Sequence, residues 1–254
     1  MIAPGQLRAA LRERPCYSTF VTLQDPQIIA YLASSGLDFL IIDHEHITMD
    51  PHMVSQLVVT AHSFGIATIV RVRDLARGAI QHALETGCDG VMIPMVESAT
   101  QARLAIEWSK YPPEGSRGLH TLTQAYLLHQ KRHASGASYT NMVNQQCVVV
   151  LQIETARGFS ARDEICAVPG ADVIFIGTSD LSQSLGVTMS SDELKQAIDQ
   201  IIVTAQQYQK GVGIIGGSHA ALLPYSTNGV NFLTVGADGA LLLHGISALL
   251  QRSE

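Results

Sequence analysis

A dense group of ionisable side chains directly follows one short apolar run of the sequence. The run Phe39 to Asp43 is continued by His44, Glu45 and His46. A turn alone would need only Asn, Gly or Ser at these positions. Histidine titrates near neutral pH and a carboxylate can orient it, so the cluster is suited to proton transfer. We interpret it as the strongest catalytic signal in the chain.

Arginines end another apolar run, in the segment Ala67 to Val72 and beyond. Arg71 and Arg73 are separated by Val72, so strand alternation points both arginines to one side. We expect one arginine to enter the site beyond the strand ends. The alternative is an ion pair with the Asp43 or Glu45 cluster.

Two further acids follow apolar runs in the second half of the chain. Glu154 follows the run Val148 to Ile153, and Asp180 follows Val173 to Ile176 through a short turn. Paired carboxylates with open positions suit a hard divalent cation such as Mg or Mn, which takes oxygen ligands. The alternative for Asp180 is a helix N-cap, where an acid also stabilises the helix dipole.

Short runs rich in branched aliphatic residues recur between amphipathic segments, a pattern typical of βα units with buried parallel strands. The eight predicted strands are Tyr17 to Leu23, Phe39 to Asp43, Ala67 to Val72, Gly90 to Met95, Val148 to Ile153, Val173 to Ile176, Val212 to Ile215 and Phe232 to Val235. Asp25-Pro26 and Asp50-Pro51 predict helix starts, and Gly36, Gly65 and Gly87 predict helix ends.

Eight alternations favour a closed (β/α)8 TIM barrel over an open doubly wound sheet, which usually has fewer strands and often carries a Gly-rich phosphate turn. The 254 residues match the roughly 250 that are typical of one such barrel. We therefore predict a single α/β domain over residues 1–254. Its active site is expected at the C-terminal ends of the strands, where the polar residues above collect.

Composition excludes several function classes. The net charge is -6, and no run of lysine or arginine could follow a phosphate backbone or an anionic membrane. We predict no nucleic-acid and no membrane partner. The start of the sequence resembles no secretory signal and no apolar stretch is long enough to span a bilayer, so a cytoplasmic location is expected. The four dispersed cysteines are predicted to pack in the core.

One long irregular segment, Tyr111 to Gln146, follows the fourth run. Segments of this length in compact domains are usually functional or contain small helices. We expect a lid or an intersubunit contact here.

The chain resembles the HpcH/HpaI class II aldolases, metal-dependent pyruvate aldolases that cleave 4-hydroxy-2-oxo acids. The motifs that carry the resemblance are spread over nearly the full length: Phe39 to His46, Val70-Arg71, Gly90 to Glu97, Tyr111 to Gly118, Gln152 to Glu154 and Ile176 to Ser182. The resemblance implies a carbon-carbon lyase that forms pyruvate and an aldehyde from a sugar-derived or aromatic-catabolic 2-oxo acid.

Roles for individual residues follow from the resemblance. It implies that Glu154 and Asp180 bind the divalent metal (Mg, Mn or Co), which also chelates pyruvate. His46 would be the catalytic histidine, Asp43 the acid associated with it, and Arg71 the cation that steadies the enolate oxygen. The remaining implied positions line the pocket or hold the substrate carboxylate through backbone N–H groups: Gln152, Gly177, Thr178 and Ser179.

The chain departs from the family at three positions. Many members carry glycine where this chain has His44, and proline and alanine where it has Thr178 and Ser179. His44 could narrow the pocket, carry another proton or fill space. Two other functions therefore stay open, a citrate-lyase-like enzyme acting on a CoA thioester and a catalytically silent barrel that binds a 2-oxo acid.

The resemblance also implies a homo-oligomer, a trimer or a hexamer, in which C-terminal helices are exchanged between subunits. The segment Leu241 to Leu250 is the expected helix.

Overall fold

The eight apolar runs form the strands of a closed parallel barrel in which each strand pairs with its neighbours in sequence and β8 returns to β1, so the (β/α)8 prediction is confirmed. The structure is a computed structural model that describes residues 1–130 and 136–250. The strands are β1 Cys16–Val21, β2 Phe39–Asp43, β3 Ala67–Arg71, β4 Gly90–Ile93, β5 Val148–Ile153, β6 Val173–Ile176, β7 Gly211–Gly216 and β8 Phe232–Ala237.

Helices cover the outside of the barrel, and one more lies at its N-terminal end. They are α1 Leu7–Glu13, α2 Gln27–Ala33, α3 Pro51–Ser63, α4 Arg77–Glu85, α5 Ala99–Ser109, α6 Gln124–Gln130, α7 Gly136–Gln146, α8 Ala156–Ser160, α9 Arg162–Cys166, α10 Thr178–Leu185, α11 Asp192–Gln207, α12 His219–Thr227 and α13 Asp238–Leu250.

The predicted helix boundaries are confirmed where cap residues marked them. Asp50 caps α3 by accepting a hydrogen bond from the backbone N of His52, with Pro51 as the first helical residue. Past the ends of α2, α3 and α4, Gly36, Gly65 and Gly87 all have positive φ. Only glycine takes this conformation without a steric cost, so each stops its helix.

Alternating strand residues build two apolar layers. Phe39 and Ile41 belong to the cluster inside the barrel, whereas Leu40 and Ile42 belong to the cluster between strands and helices. Parallel strands covered on both faces must be apolar at every position, which explains why they appear in the sequence as continuous runs.

A fourfold contact closes the N-terminal end of the barrel. The residue before each even-numbered strand uses its side-chain oxygen to accept the backbone N–H of the second residue of the preceding odd-numbered strand. The pairs are Asp38 with Tyr17, Asp89 with Thr68, Asp172 with Val149 and Asn231 with Val212, at 2.8–3.0 Å. The N-terminal segment and α1 contact all four of these side chains.

The long segment after β4 and α5 contains α6 and α7. In its described part, α6 packs against α4 and α7 against α1. The cavity at the opposite end of the barrel takes no lining residue from this part. The described part of the segment therefore forms no lid over this cavity, and residues 131–135 lie outside the described ranges.

All four cysteines are buried and free, which confirms their predicted place in the core. Within the described ranges, no helix combines the length and the apolar character that crossing a bilayer requires.

Candidate active site

A cavity of about 380 Å³ opens at the C-terminal ends of the strands, where a TIM barrel carries its chemistry. Eight of the nine site residues predicted from the sequence line this cavity. The ninth, Glu154, lies directly behind Gln152 and Gly177. The lining residues are Phe20, Thr22, Asp43, His46, Arg71, Gln152, Phe175, Gly177, Thr178, Ser179, Asp180, Ile215 and Ala237.

Arg71 is fixed from three sides. Its Nε and Nη2 donate to the two oxygens of Asp43 at 3.0 and 2.8 Å, and its Nη1 lies 3.2 Å from Glu45 Oε2. The guanidinium carbon stacks 4.4 Å from the ring centroid of Phe20. Arg71 therefore both enters the cavity and forms the ion pair that was its alternative interpretation. A planar guanidinium held in this way presents its charge at a fixed position.

His46 is oriented differently from what the resemblance implied. Asp43 accepts the backbone N–H of His46 at 3.3 Å. Among the described carboxylates, only Glu45 comes within 4.0 Å of the imidazole, with Oε2 at 3.8 Å from Nε2. The side chain of Asp43 is directed at Arg71 because the two strands place them in register as neighbours. Glu45 is thus the acid beside His46.

Glu154 is almost completely buried behind Gln152 and Gly177. Its Oε1 accepts the backbone N–H of Met95 at 2.7 Å, and its Oε2 accepts from Gln152 Nε2. Met95 has a φ of 54°, a conformation that non-glycine residues rarely adopt. The loop after β4 is held in this conformation with the Met95 N–H directed at the carboxylate.

Gly177 lies so close to Glu154 and Gln152 that a Cβ atom at this position would collide with both side chains. It precedes α10, whose first residues Thr178, Ser179 and Asp180 line the cavity. First-turn N–H groups have no carbonyl partner within their own helix and attract anions. Asp180 lies in this first turn but is not the N-cap, which is Gly177. Asp180 is therefore not the cap, but as an acid in the first turn it still interacts favourably with the helix dipole, and it also lines the cavity.

Four carboxylates, those of Asp43, Glu45, Glu154 and Asp180, share the site with the guanidinium of Arg71. Burial raises the pKa of Glu154 to about 7, and the charges of Glu45 and Asp180 raise it as well. Burial also raises the pKa of Glu45 to about 7, with contributions from Asp43 and Asp180 against the lowering effect of Arg71. Concentrated negative charge in a low-dielectric pocket favours binding of a cation.

The donor set of Glu154 and Asp180 fits a divalent metal. Both are hard oxygen donors, and no described cation within 4.0 Å neutralises either of them. Across the described ranges no three His, Cys, Asp or Glu side chains form a ready metal cluster. A metal held by these two residues would therefore keep coordination positions for substrate and water.

His44, which the sequence singled out, does not line this cavity. Its ring nitrogen is 3.0 Å from the carbonyl oxygen of Met49, and it borders a separate groove between α3 and α4 with Arg73 and His82. Burial lowers the pKa of His44, and Arg73 lowers it further. His44 therefore neither narrows the pocket nor carries its protons.

Sequence reasoning missed two contributors to the site. Glu45 belongs to the Asp43–His46 cluster, which was the available signal, but it was considered only as an ion-pair partner of an arginine and not as the acid beside His46. Met95 contributes only a backbone N–H, and nothing in its side chain marks it. Lys110 and Lys210 bind backbone carbonyls before β5 and before β6, at the far end of the barrel.

Comparisons with known proteins identify relatives over most of the chain. The sequence model of the family described as HpcH/HpaI aldolase/citrate lyase matches residues 17–245. A hydroxypyruvate/pyruvate aldolase from Roseovarius nubinhibens is 32% identical over 229 residues, covering 89% of this chain and 86% of the relative. A 4-hydroxy-2-oxo-heptane-1,7-dioate aldolase from Salmonella dublin is 31% identical over 241 residues, covering 94% and 90%.

A solved structure gives the same result for the fold. The crystal structure of an HpcH/HpaI aldolase/citrate lyase family protein from Burkholderia cenocepacia superposes with a TM-score of 0.89 at 29% identity, covering 97% of this chain and 98% of the other.

Proposed function

The chain belongs to the HpcH/HpaI aldolase/citrate lyase family, and from this premise we propose that it is a carbon-carbon lyase, a divalent-metal-dependent aldolase. It reversibly cleaves a 4-hydroxy-2-oxo acid to pyruvate and an aldehyde. The observation that carries the proposal is the meeting of a fixed arginine, the Asp180 carboxylate and a helix N-terminus in one cavity, with Glu154 directly behind the cavity wall.

Glu154 and Asp180 would hold the metal, for which Mg, Mn and Co are the candidates. When bound, such a metal polarises a 2-oxo acid and stabilises negative charge on its keto oxygen. The N–H groups at the start of α10, from Gly177 to Ser179, would bind the substrate carboxylate, and Gln152 would line the same pocket. Pyruvate would then lie against β5 and β6.

Arg71 would stabilise the negative charge that develops on the enolate oxygen. Its position costs no rearrangement during the reaction, because Asp43 and Glu45 hold the guanidinium before substrate arrives. Preorganised charge of this kind is usually the largest contribution to catalysis.

His46 would move the proton. It is the exposed group of the set, with 57% of its side chain accessible, so it reaches water and substrate. Glu45 beside it would favour one ring orientation. No lysine among the described residues lines the cavity, and the proposed chemistry does not require a Schiff base.

The substrate range, assembly and location are further parts of the proposal. The 2-oxo acid is expected to come from sugar or aromatic catabolism, as the resemblance implies. A homo-oligomer, a trimer or a hexamer with exchanged C-terminal helices, is supported by the apolar exposed side chains of α13, among them Leu243 and Leu249. One domain over residues 1–254 and a cytoplasmic location stay predictions.

The test is deuterium exchange into the methyl group of pyruvate, followed by NMR with Mg, Mn or Co added. We expect metal-dependent exchange in the wild type and its loss in Glu154→Ala and in His46→Ala. Glu164→Ala and His52→Ala are matched controls, because both side chains lie exposed outside the cavity, and they should exchange at the wild-type rate. Absence of exchange with every metal would overturn the proposal in favour of a thioester lyase or a silent barrel.

A further inference from the structure

A buried carboxylate joins the C-terminal helix to the barrel beside the active site. Asp238, the first residue of α13, is 3% exposed. Its Oδ1 accepts from the backbone N and the hydroxyl of Thr22, at 2.9 and 2.5 Å, and from the backbone N of Gly239 at 2.7 Å. Its Oδ2 accepts the backbone N–H of Leu23 at 3.1 Å.

These bonds do more than cap a helix. Only the bond from Gly239 lies within α13, and the other three come from the loop after β1, some 216 residues away in sequence. No described Lys, Arg or His lies within ion-pair distance of Asp238, so hydrogen bonds alone compensate its charge. Hydrogen bonds to a charged group are stronger than those between neutral groups. The loop after β1 is therefore fixed by the carboxylate.

Thr22 is the link to the active site, because it lines the cavity together with Ala237, the residue before Asp238. The groups proposed to act on pyruvate come from β2, β3, β5 and β6. The walls that remain come from β7, β8 and β1, and they carry Ile215, Ala237 and Thr22. A second substrate has this side of the cavity available to it.

We infer that Asp238 is a positioning residue for the aldehyde half of the reaction, acting through Thr22. The inference rests on the proposed aldolase function. Asp238 holds Thr22, which forms the β1 wall of the cavity, in place. The position of this wall therefore depends on the position of the first residue of α13. Asp238 touches neither pyruvate nor the groups that would enolise it.

The experiment compares two reactions in the same protein. Deuterium exchange into pyruvate reports enolate formation alone, and aldol addition to acetaldehyde or glycolaldehyde at saturating pyruvate reports the second half. In Asp238→Asn we expect the KM for aldehyde to rise about tenfold, which corresponds to about 1.4 kcal/mol, while exchange stays within about twofold of the wild type. The amide nitrogen of Asn cannot accept the N–H of Leu23 or Thr22.

Thr22→Val provides a second variant if Asp238→Asn folds poorly, since valine keeps the shape and removes the hydroxyl. It should show the same split between the two reactions, and Thr22→Ser should restore the aldehyde KM. Asp192→Asn is the matched loss of charge, with a side chain that is 84% exposed, and should change neither reaction.

Two results would overturn the inference. A parallel fall of exchange and addition in both variants would assign Asp238 a merely structural role, and unchanged addition would remove any role in the aldehyde half. A wild type without exchange is a different outcome, because it refutes the proposed function and this inference with it.

Discussion

Arg71 contacts both acids of its cluster, and the two contacts differ in kind. Asp43 forms a bidentate pair in which both partners are buried, whereas Glu45 meets the outer nitrogen of the guanidinium and also approaches His46. One acid therefore fixes the plane of the arginine, and the other links the arginine to His46, the proposed proton carrier.

Arg71→Lys tests whether the planar guanidinium matters beyond its charge. A lysine keeps the charge but cannot donate two parallel hydrogen bonds to Asp43 while facing the cavity. We expect pyruvate exchange to fall by about 10²–10³-fold, the usual loss when an oxyanion-stabilising donor is removed. Arg73→Lys is the control, because Arg73 is exposed and borders the other groove, and an equal loss there would contradict the assignment.

The raised carboxyl pKa values predict how stability depends on pH. Both Glu45 and Glu154 have an ordinary pKa of 4.5 and a pKa of about 7 in the folded protein. A raised carboxyl pKa stabilises the fold below the ordinary value, and this stabilisation is lost as pH rises towards 7. We expect the metal-free protein to lose on the order of 2 kcal/mol of unfolding free energy between pH 5 and pH 8 from these groups.

Urea unfolding at several pH values, with and without Mg, measures this effect. Added metal should restore stability at pH 8, where the carboxylates are charged, and have little effect at pH 5, where protons compete for the same oxygens. Glu154→Gln should flatten both dependences. A metal effect that is as large at pH 5 as at pH 8 would contradict the prediction.

Which residues lie in the site could be predicted from the sequence, but which of them contact one another could not. Polar residues that follow successive strands of a barrel must meet at one end, which places Arg71, Glu154 and Asp180 together without further information. The direction of a side chain beyond the strand end depends on loop backbone. For that reason His44 pointed away from the cavity and Glu45, not Asp43, came to lie beside His46.

At the level of elements, the same contact is repeated four times at the N-terminal end of the barrel. We call the side chains that make it, Asp38, Asp89, Asp172 and Asn231, the clamp. Each satisfies a buried backbone N–H at the start of an odd-numbered strand, and the N-terminal segment with α1 binds the outer side of all four. Three positions use Asp and one uses Asn231, so a neutral amide oxygen is sufficient for the inner contact.

The clamp makes a graded prediction at Asp89, which accepts N–H groups from Thr68 and Gly5. Asp89→Ala leaves both donors without a partner, and we expect it to lower the unfolding free energy by about 3 kcal/mol. Asp89→Asn keeps an acceptor oxygen for Thr68, as Asn231 does for Val212, but loses the oxygen that Gly5 uses, and should cost about 1 kcal/mol. Chemical denaturation measures both, and equal losses would show that the charge, not the acceptor, is what matters.

Pyruvate exchange serves as the second readout for the same variants. The clamp lies at the end of the barrel opposite the cavity, so folded Asp89→Asn should exchange at the wild-type rate. A loss of exchange at full stability would contradict this separation of the two ends.

The bounds of the buried elements were predicted more accurately than those of the exposed ones. The strands β2, β5 and β6 have the predicted bounds, and the others differ by at most two residues at an end. Both faces of each strand are covered, so apolar residues mark its whole length. The helices α6 and α7 were not placed within the long segment from Tyr111 to Gln146, because few apolar residues mark their described faces. Thr123, whose hydroxyl accepts the backbone N–H of Tyr126, caps α6 and was the signal that the sequence reasoning did not use.

On the scale of the whole molecule, α13 is the element that the single chain leaves least covered. Large apolar side chains are exposed along it, at Leu242, Leu243, Ile246, Leu249 and Leu250. Contiguous apolar surface of this kind marks an interaction site more often than a free surface. The helix is also anchored at its first residue, so a contact along its length would be transmitted to the β1 wall of the cavity.

Two substitutions test whether a second copy covers this helix. Leu243→Asp with Leu249→Asp places charge in the apolar surface, where burial against another subunit would cost several kcal/mol. We expect light scattering to give a multiple of the 27.3 kDa chain mass for the wild type and a smaller multiple for the double variant. Met189→Asp, an exposed apolar residue far from α13 in sequence, should leave the mass unchanged.

If the double variant keeps the wild-type mass, α13 is not the contact that holds the oligomer together. If the mass falls while the aldehyde KM stays constant, the helix assembles the molecule without shaping its site. A rise of that KM on dissociation would show that the anchor at Asp238 transmits assembly to the cavity.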